Sequence, residues 1–235
     1  MCGRYTLTTP ADKYKAQLKY ERARAILEKL FARYNIAPTQ DVAAVRTGTD
    51  GVRELVALHW GLIPSWSKES KTTFSTINAK SETVAEKPAF RGAFRHRRCL
   101  ILADGYYEWQ ARPGSRAKQP WYIKLAGGDL FAFAGLWERW EPKPNQPGEP
   151  IESCSIIVTD ANELMRPIHD RMPVILDPAA YDVWLDPDCR DKTGLLSLLR
   201  PYPADEMTAW KVSTHVNSPR HDDAECLEPI EAAEG

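Results

Sequence analysis

The residue that follows the initiator methionine is Cys2, and its type and position give it reactive potential. Because Cys is small, Met1 can be removed, which leaves an α-amine with an ordinary pKa of roughly 7.7–8.0 beside a thiol near about 8.5. We expect both nucleophiles to be accessible near neutral pH. The amine can condense with an aldehyde, such as the ring-opened sugar of an abasic site, and the thiol can then close a five-membered thiazolidine ring. Alone, however, Cys2 is better explained as an incidental residue in a frayed end.

Three further polar side chains stand beside predicted turns or strand ends, where functional sites are commonly built. Glu108 has two aromatic residues before it and a tryptophan after it, so we expect a partly desolvated carboxyl with a raised pKa that transfers protons. His169 could serve a second proton transfer, including opening of a sugar ring. Asn78 offers an amide that could orient the sugar or an aldehyde oxygen. Taken singly, Asn78 and His169 are better explained as satisfied polar residues in turns.

The charged residues are unevenly distributed along the chain. The formal net charge is -1, but six acidic residues and no basic residue lie between positions 222 and 234. Setting those 6 aside leaves 26 acidic against 31 basic residues, so the remainder carries about +5. Four arginines cluster in that remainder, at Arg91, Arg95, Arg97 and Arg98. Such a cluster is at least as often a solvated face as a phosphate-binding surface.

The five cysteines are widely spaced and form no C-x-x-C pair. This pattern argues against a disulfide framework and against a zinc site, so we expect no metal and no other cofactor. A zinc hydrolase is disfavoured for the same reason. Cys99 and Cys154 lie in strand-like runs and are predicted to be small buried hydrophobes.

The elements that must position these residues are mostly strands. Residues 10–33 show helical spacing of apolar side chains, and Asp177 followed by Pro178 predicts a second helix over 178–185. Gly-containing breaks at 111–119 and 126–129 predict two hairpins. Short β-like runs are predicted at 42–46, 52–62, 99–109, 121–125, 130–137, 153–159, 172–176 and 208–213. No regular βα alternation appears, so the sequence predicts a single α+β domain with a largely antiparallel, barrel-like sheet and peripheral helices.

No apolar run approaches the roughly 20 residues that cross a bilayer, and the N-terminus lacks a signal-peptide core. We therefore expect no membrane partner and a cytoplasmic protein. We also expect a monomer. The acidic residues at the C-terminal end are expected to be loose.

Several segments together resemble the SRAP (SOS-response-associated peptidase) family, whose members process abasic sites. They occur in the family's order and are MCGRY at 1–5, RYNIAPTQ at 33–40, WGLIPSW at 60–66, INAKSET at 77–83, RRCLILADGYYEW at 97–109, IHDRMP at 168–173 and VSTHVNSP at 212–219. They extend over nearly the whole chain. The resemblance implies one SRAP domain over 2–230, followed by an acidic end at 231–235.

The resemblance also implies roles for individual residues. Cys2 is then the nucleophile that joins an abasic site in single-stranded DNA through a thiazolidine, which protects the lesion during the DNA damage response. Asn78, Glu108 and His169 match the family's active-site residues, with acid–base roles for the last two. A self-processing peptidase activity and a lyase activity are also implied.

The residues expected to bind the DNA strand are cations and apolar surfaces, as in other single-strand binders. They are Arg4, Lys80, Arg91, Arg95, Arg98 and Arg171, with Pro38 and Trp66 against the bases. Two positions depart from the family pattern. Lys80 replaces an arginine and loses its bidentate phosphate grip. Ser67 follows Trp66 where some members have a second tryptophan.

Two other functions remain open at this point. Chains of N-terminal-nucleophile glutamine amidotransferases also begin Met-Cys-Gly, and there the thiol of Cys2 would attack the amide of glutamine. That function leaves Glu108, His169 and the arginine cluster without a role. In a non-catalytic single-strand-binding module, Cys2 would be incidental.

Overall fold

The computed structural model describes residues 2–23, 27–71, 76–128, 130–143 and 147–230. The strands are β1 Tyr5–Leu7, β2 Arg22–Ala23, β3 Arg33–Ile36, β4 Asp41–Thr47, β5 Arg53–Trp60, β6 Asn78–Lys80, β7 Arg98–Ala103, β8 Gly105–Gln110, β9 Gln119–Leu125, β10 Phe131–Trp140, β11 Ile151–Asp160, β12 Arg171–Pro173, β13 Ile175–Leu176 and β14 Met207–Lys211. The helices are α1 Ala11–Leu18, α2 Arg91–His96, α3 Tyr181–Leu185 and α4 Lys192–Ser197. Short 3-10 helices cover Leu27–Leu30, Pro178–Ala180, Ala204–Glu206, Thr214–Asn217 and Ala224–Leu227.

Five strands close into a barrel. Antiparallel pairing runs through β5, β4, β7, β10 and β11, and β11 then pairs in parallel with β5, where Cys154 lies opposite Trp60. Closure leaves no free edge on these five strands. The predicted single α+β domain with a largely antiparallel, barrel-like core is confirmed, and Cys99 and Cys154 are buried as expected.

A second sheet lies against the barrel in the order β14, β9, β8, β1 and β3. The two sheets meet through aromatic side chains. Tyr5 of β1 makes edge contacts with Trp60 at 5.3 Å and with Phe133 at 5.6 Å between ring centroids, and Tyr106 of β8 lies 6.2 Å from Phe133. This interface holds β1 and β8 in place. Strand β1 follows the N-terminal residues, and β8 carries Glu108.

Asp104 divides what the sequence suggested was one long strand into β7 and β8. Its Oδ2 accepts hydrogen bonds from the backbone N–H of Thr8 and of Thr9, and its Oδ1 accepts one from Thr6 Oγ1. Gly105 begins β8 where a Cβ would stand 2.0 Å from the Tyr122 hydroxyl, so only glycine permits this approach. The chain thereby passes from the barrel to the second sheet.

Some predicted elements are wrong. Residues 10–33 are not one helix, because α1 ends at Leu18 with Lys19 in a left-handed conformation, and strands β2 and β3 follow. Residues 126–129 do not form a hairpin, since β9 and β10 belong to different sheets; Asp129 itself lies outside the described residues. The hairpin at 111–119 and the helix beginning after Asp177 are confirmed.

The acidic residues near the C-terminus are not all loose. Asp222 accepts hydrogen bonds from the backbone N–H of Tyr34 and of Asn35 and pairs with Arg33. Residues 231–235, the predicted acidic end, lie outside the described residues, so that boundary stays a prediction. Within the described part of the chain, no helix is long and apolar enough to cross a membrane.

Candidate active site

The N-terminal segment extends the pairing of β1 with β8. The backbone N–H of Tyr107 donates to the Arg4 carbonyl at 3.0 Å, which holds the first residues alongside Glu108. Cys2 is completely buried in the main core. Burial raises the pKa of its thiol well above its usual range; the charge of Glu108 raises it further, and a hydrogen bond from the Arg4 backbone acts the other way. The expectation of an accessible thiol is therefore wrong for this arrangement, because the segment packs inside rather than fraying.

Glu108 lies on β8 in the interior, with 2% of its surface exposed. Residues two apart on a strand point to the same face, so Glu108 shares its face with Tyr106. Burial raises the pKa of the Glu108 carboxyl, and the charge of His169 acts in the opposite direction. The predicted desolvated carboxyl with a raised pKa is confirmed.

His169 stands just before β12 and is about three-quarters buried, with 24% of its side chain exposed. Its Nδ1 lies 3.0 Å from the backbone N–H of Arg171, which donates to it, and 2.8 Å from Asp170 Oδ1. The contact with the Arg171 backbone orients the imidazole, and a proton on the ring would act on the Glu108 carboxyl. The structure thus brings Cys2, Glu108 and His169 into one electrostatically connected group.

Asn78 begins β6, which pairs in parallel with β11. Its Nδ2 donates to the Ile77 carbonyl at 3.1 Å. Its Oδ1 is buried and has no hydrogen-bond partner among the described residues. A buried acceptor without a donor is costly, and a substrate hydroxyl could satisfy it. The role of Asn78 stays a prediction.

Tyr106 belongs to this region and was missed in the sequence. It is fully buried, and its electrostatic interactions include those with Cys2 and Glu108. Its hydroxyl has no hydrogen-bond partner in the described part of the chain. The signal for it was present: the strand alternation that faces Glu108 inward also faces Tyr106 inward.

Arg4 holds the N-terminal strand against the C-terminal segment. Its guanidinium donates to Asn35 Oδ1 at 2.6 Å and to the carbonyls of Val216 and Asn217, each at 2.9 Å. It also lies 5.9 Å from the ring centre of Trp109. These contacts give Arg4 a structural role two residues from Cys2, and its predicted contact with DNA stays a prediction.

An exposed groove lies beside α2, and it is called here the Trp66 groove. Trp66 is 67% exposed, an unusual exposure for so large an apolar side chain. Arg91 and Arg95 line the groove with Trp66, and its other lining residues are Ser65, Pro88, Ala89, Gly92, Ala93, Arg97 and Glu138. An exposed aromatic ring beside arginines can hold a nucleic-acid strand by stacking and charge.

Arg98 does not belong to such a surface. It is 4% exposed and donates to the carbonyls of Phe94, Arg95, Trp184 and Asp186. Two of those carbonyls end α2, so the guanidinium caps a helix C-terminus. The prediction that Arg98 contacts DNA is wrong for this reason.

The remaining residues predicted to contact DNA differ in their exposure and in the partners that they already have. Lys80 is exposed at the end of β6, and Pro38 is half-buried in the turn between β3 and β4. Arg171 is held by Glu82 through two hydrogen bonds of 2.6 and 2.9 Å, and by Asp160 at 3.3 Å. A phosphate would have to displace Glu82 to bind Arg171. All three contacts stay predictions.

Comparison with known proteins agrees with the resemblance. The family described as SOS response associated peptidase (SRAP) matches residues 1–219. The abasic site processing protein YoqW of Bacillus subtilis (strain 168) is 44% identical over 229 residues, which cover 97% of this chain and 99% of YoqW. The abasic site processing protein HMCES of Gallus gallus is 40% identical over 202 residues, covering 76% of this chain and 58% of HMCES.

The fold is shared with solved structures. A crystal structure of a Bacteroides thetaiotaomicron protein superposes with a TM-score of 0.86 at 28% identity, covering 98% of this chain and all of that one. A Bordetella bronchiseptica protein superposes with a TM-score of 0.75, also at 28% identity. The match to the family over residues 1–219, together with these relatives, shows that the chain belongs to the SRAP family.

Proposed function

We propose that this protein processes abasic sites in single-stranded DNA by forming a covalent thiazolidine between Cys2 and the ring-opened sugar. The observation that carries the proposal is the electrostatic connection of the buried Cys2 and Glu108 with each other and of Glu108 with the partly exposed His169. YoqW and HMCES are both named abasic site processing proteins, which supports this substrate.

The reaction begins only after removal of Met1, because an acylated Cys2 nitrogen is an amide and not a nucleophile. The free α-amine adds to the aldehyde carbon and gives a carbinolamine. Loss of one water molecule then gives an imine. The thiol sulfur adds to the imine carbon, whose nitrogen has kept its own proton, the thiol proton passes to a carboxylate, and the thiazolidine closes with one water lost in total.

Glu108 is suited to both proton transfers in this sequence. A carboxyl with a raised pKa keeps a proton to donate to the leaving hydroxyl of the carbinolamine. The resulting carboxylate can then accept the proton of the Cys2 thiol, whose own ionisation is disfavoured by burial. His169 would assist opening of the sugar ring, and the buried Oδ1 of Asn78 would accept a hydrogen bond from a sugar hydroxyl.

The Trp66 groove would hold the strand on either side of the lesion. Trp66 provides a stacking surface, and Arg91 and Arg95 attract phosphates without reading sequence. Self-removal of Met1 by the same nucleophile would account for the peptidase in the family description. We further propose that the protein acts in the cytoplasm as a monomer and associates with the nucleoid through damaged DNA.

The proposal is tested by incubating the Met1-processed protein with single-stranded DNA that contains one abasic site, followed by a denaturing gel. We expect a shifted band that is lost in Cys2→Ala and in protein that keeps Met1 or an N-terminal tag. Cys189→Ser is the matched control, since Cys189 is a free thiol far along the chain, and it should leave the band unchanged.

Two other outcomes would replace the proposal. Release of ammonia from glutamine without a shifted band would indicate the amidotransferase. DNA binding that survives Cys2→Ala, with no covalent product from the unaltered protein, would indicate a non-catalytic single-strand-binding module.

A further inference from the structure

A second group of reactive side chains lies outside the site described above, in the segment from 212 to 230. His215 lies in the 3-10 helix Thr214–Asn217, and Cys226 lies in the 3-10 helix Ala224–Leu227, which Asp223 caps. One donor atom from each of His215, Asp223 and Cys226 falls within 4.8 Å of the other two. These are the nitrogen, oxygen and sulfur donors that a zinc site uses.

The spacing of the donor atoms suits one ion. His215 Nε2 lies 3.2 Å from both carboxylate oxygens of Asp223. Nitrogen and oxygen ligands on a tetrahedral Zn²⁺, at about 2.0–2.2 Å from the metal, lie roughly 3.3 Å from each other. The pair therefore stands at ligand separation before any ion is bound, and Cys226 Sγ stands within reach of both.

The surroundings of His215 match those of a metal ligand. Its other ring nitrogen, Nδ1, lies 3.6 Å from Glu225 Oε1. A carboxylate behind the second nitrogen of a ligating histidine fixes its tautomer and orientation. The ring is further held by His221, which stacks on it at 3.8 Å with an interplanar angle of 8°.

We propose that His215, Asp223 and Cys226 bind a Zn²⁺ ion, with water in the fourth position. A thiolate and an imidazole favour a borderline-soft ion such as Zn²⁺ over Mg²⁺ or Ca²⁺, which prefer oxygen ligands. On binding, the Cys226 thiol releases its proton to solvent, and the sulfur gives up its 3.5 Å hydrogen bond to the His221 carbonyl.

Such an ion would stiffen the support of the N-terminal strand. It would join the two 3-10 helices, and the first of these supplies the Val216 and Asn217 carbonyls that hold Arg4. Asn217 Oδ1 also accepts a hydrogen bond from Trp109 Nε1 at 2.7 Å, next to Glu108 on β8. The proposed zinc site is therefore linked, through Val216 and Asn217, to Arg4 and Trp109, which lie close to Cys2 and Glu108 in the sequence.

The spacing explains why the sequence predicted no metal. The ligands follow a His-x7-Asp-x2-Cys pattern without a C-x-x-C or H-x-x-x-H pair. The aspartate also lies in what looked like a loose acidic end. The packing of Asp222 against β3 helps to bring Asp223 back to His215.

The test uses the full chain with Cys2→Ala as background, so that the N-terminal thiol cannot bind the metal. Zn²⁺ at about 100 times its Kd should raise the Tm by roughly 5–10 °C. Co²⁺ should bind one ion per chain and give a thiolate-to-cobalt absorption band. Cys226→Ser should abolish the band, and Asp223→Asn should weaken binding at least about tenfold. Cys189→Ser should change neither.

The outcomes decide the proposal in each direction. Loss of the cobalt band in Cys226→Ser, with folding preserved, supports it. Absence of both the Tm shift and the band would show that His215 and Asp223 form an ion pair only. Stoichiometric binding unaffected by Cys226→Ser and Asp223→Asn would place the metal elsewhere and overturn it as well. None of these results depends on whether the protein reacts with abasic sites.

Discussion

Two regions of the molecule differ in how far their polar side chains are exposed to water. One is the group of Cys2, Glu108 and His169, and the other is the Trp66 groove. In the first, burial raises the pKa of the thiol and of the carboxyl, so protonation is set by the protein interior. In the second, Trp66, Arg91 and Arg95 stand in water. The proposed function therefore assigns the chemistry to the first region and strand binding to the second. Substitutions in the first region should change rates, and substitutions in the second should change affinity.

The same contrast appears within one short stretch of sequence. Arg95 and Arg98 are three residues apart, yet Arg95 is exposed on α2 whereas Arg98 is buried beneath it. The Arg98 guanidinium donates hydrogen bonds to four backbone carbonyls. An arginine-rich run is therefore not one functional unit.

The largest effect should follow Glu108→Gln, which removes the proton donor and keeps the shape. We expect crosslink formation to slow by about 10²- to 10⁴-fold, the usual contribution of general acid–base catalysis. Non-covalent affinity for intact single-stranded DNA should change little. Single-turnover gels and fluorescence anisotropy measure the two quantities, and an unchanged rate would remove Glu108 from the chemistry.

The same variant has a predicted effect on stability with pH. The pKa of Glu108 is raised in the folded protein, so the folded state holds this proton more tightly than the unfolded chain. The unaltered protein should lose stability as pH rises from the ordinary value of 4.5 through the raised value. Glu108→Gln should not lose this stability. The Tm of the variant, relative to that of the unaltered protein, should therefore increase as pH rises across this interval. Parallel Tm curves would contradict the burial argument.

Arg98→Ala should rank next, and it tests the division between buried and exposed arginines. Removing the guanidinium removes its hydrogen bonds to four backbone carbonyls, which should lower the free energy of unfolding by about 2–4 kcal/mol. Arg95→Ala, the matched control on the exposed face, should stay within about 0.5 kcal/mol of the unaltered protein. Urea unfolding measures both, and equal values would erase the distinction.

Trp66→Ala should weaken binding of single-stranded DNA by about 1–3 kcal/mol, the usual value of one base stacked on an aromatic side chain. The crosslinking rate at saturating DNA should remain near that of the unaltered protein. Val183→Ala is the control, because Val183 is another exposed apolar residue, on α3. If both variants bind like the unaltered protein, the groove does not hold DNA.

The smallest effects should come from Arg91→Ala and Arg95→Ala. Each should flatten the slope of log K against log salt concentration by about 0.7, as expected for one lost phosphate contact on a single strand. Arg22→Ala removes an exposed arginine that is paired with Asp50, and it should leave the slope unchanged. Salt titrations of binding distinguish the two cases.

The sequence predicted the fold class and the burial of Glu108, because strand periodicity and the aromatic neighbours of Glu108 are local signals. It did not predict the burial of Cys2, because the hydrogen bond that holds the neighbouring Arg4 carbonyl to Tyr107 of β8 joins distant parts of the chain. It also could not separate Arg98 from Arg95, since the carbonyls of Trp184 and Asp186 that bind Arg98 come from a distant part of the chain. Long-range packing decides such cases, and no local pattern encodes it.

In the proposed reaction, Cys2 forms the covalent adduct through both its nitrogen and its sulfur. Intact-mass measurement of the product formed by Met1-processed protein and abasic single-stranded DNA decides whether it does. We predict a mass equal to protein plus DNA minus one water, with the DNA remnant mapped to Cys2 after digestion. A product of that mass on a lysine, or no covalent product from protein shown to begin at Cys2, would contradict it.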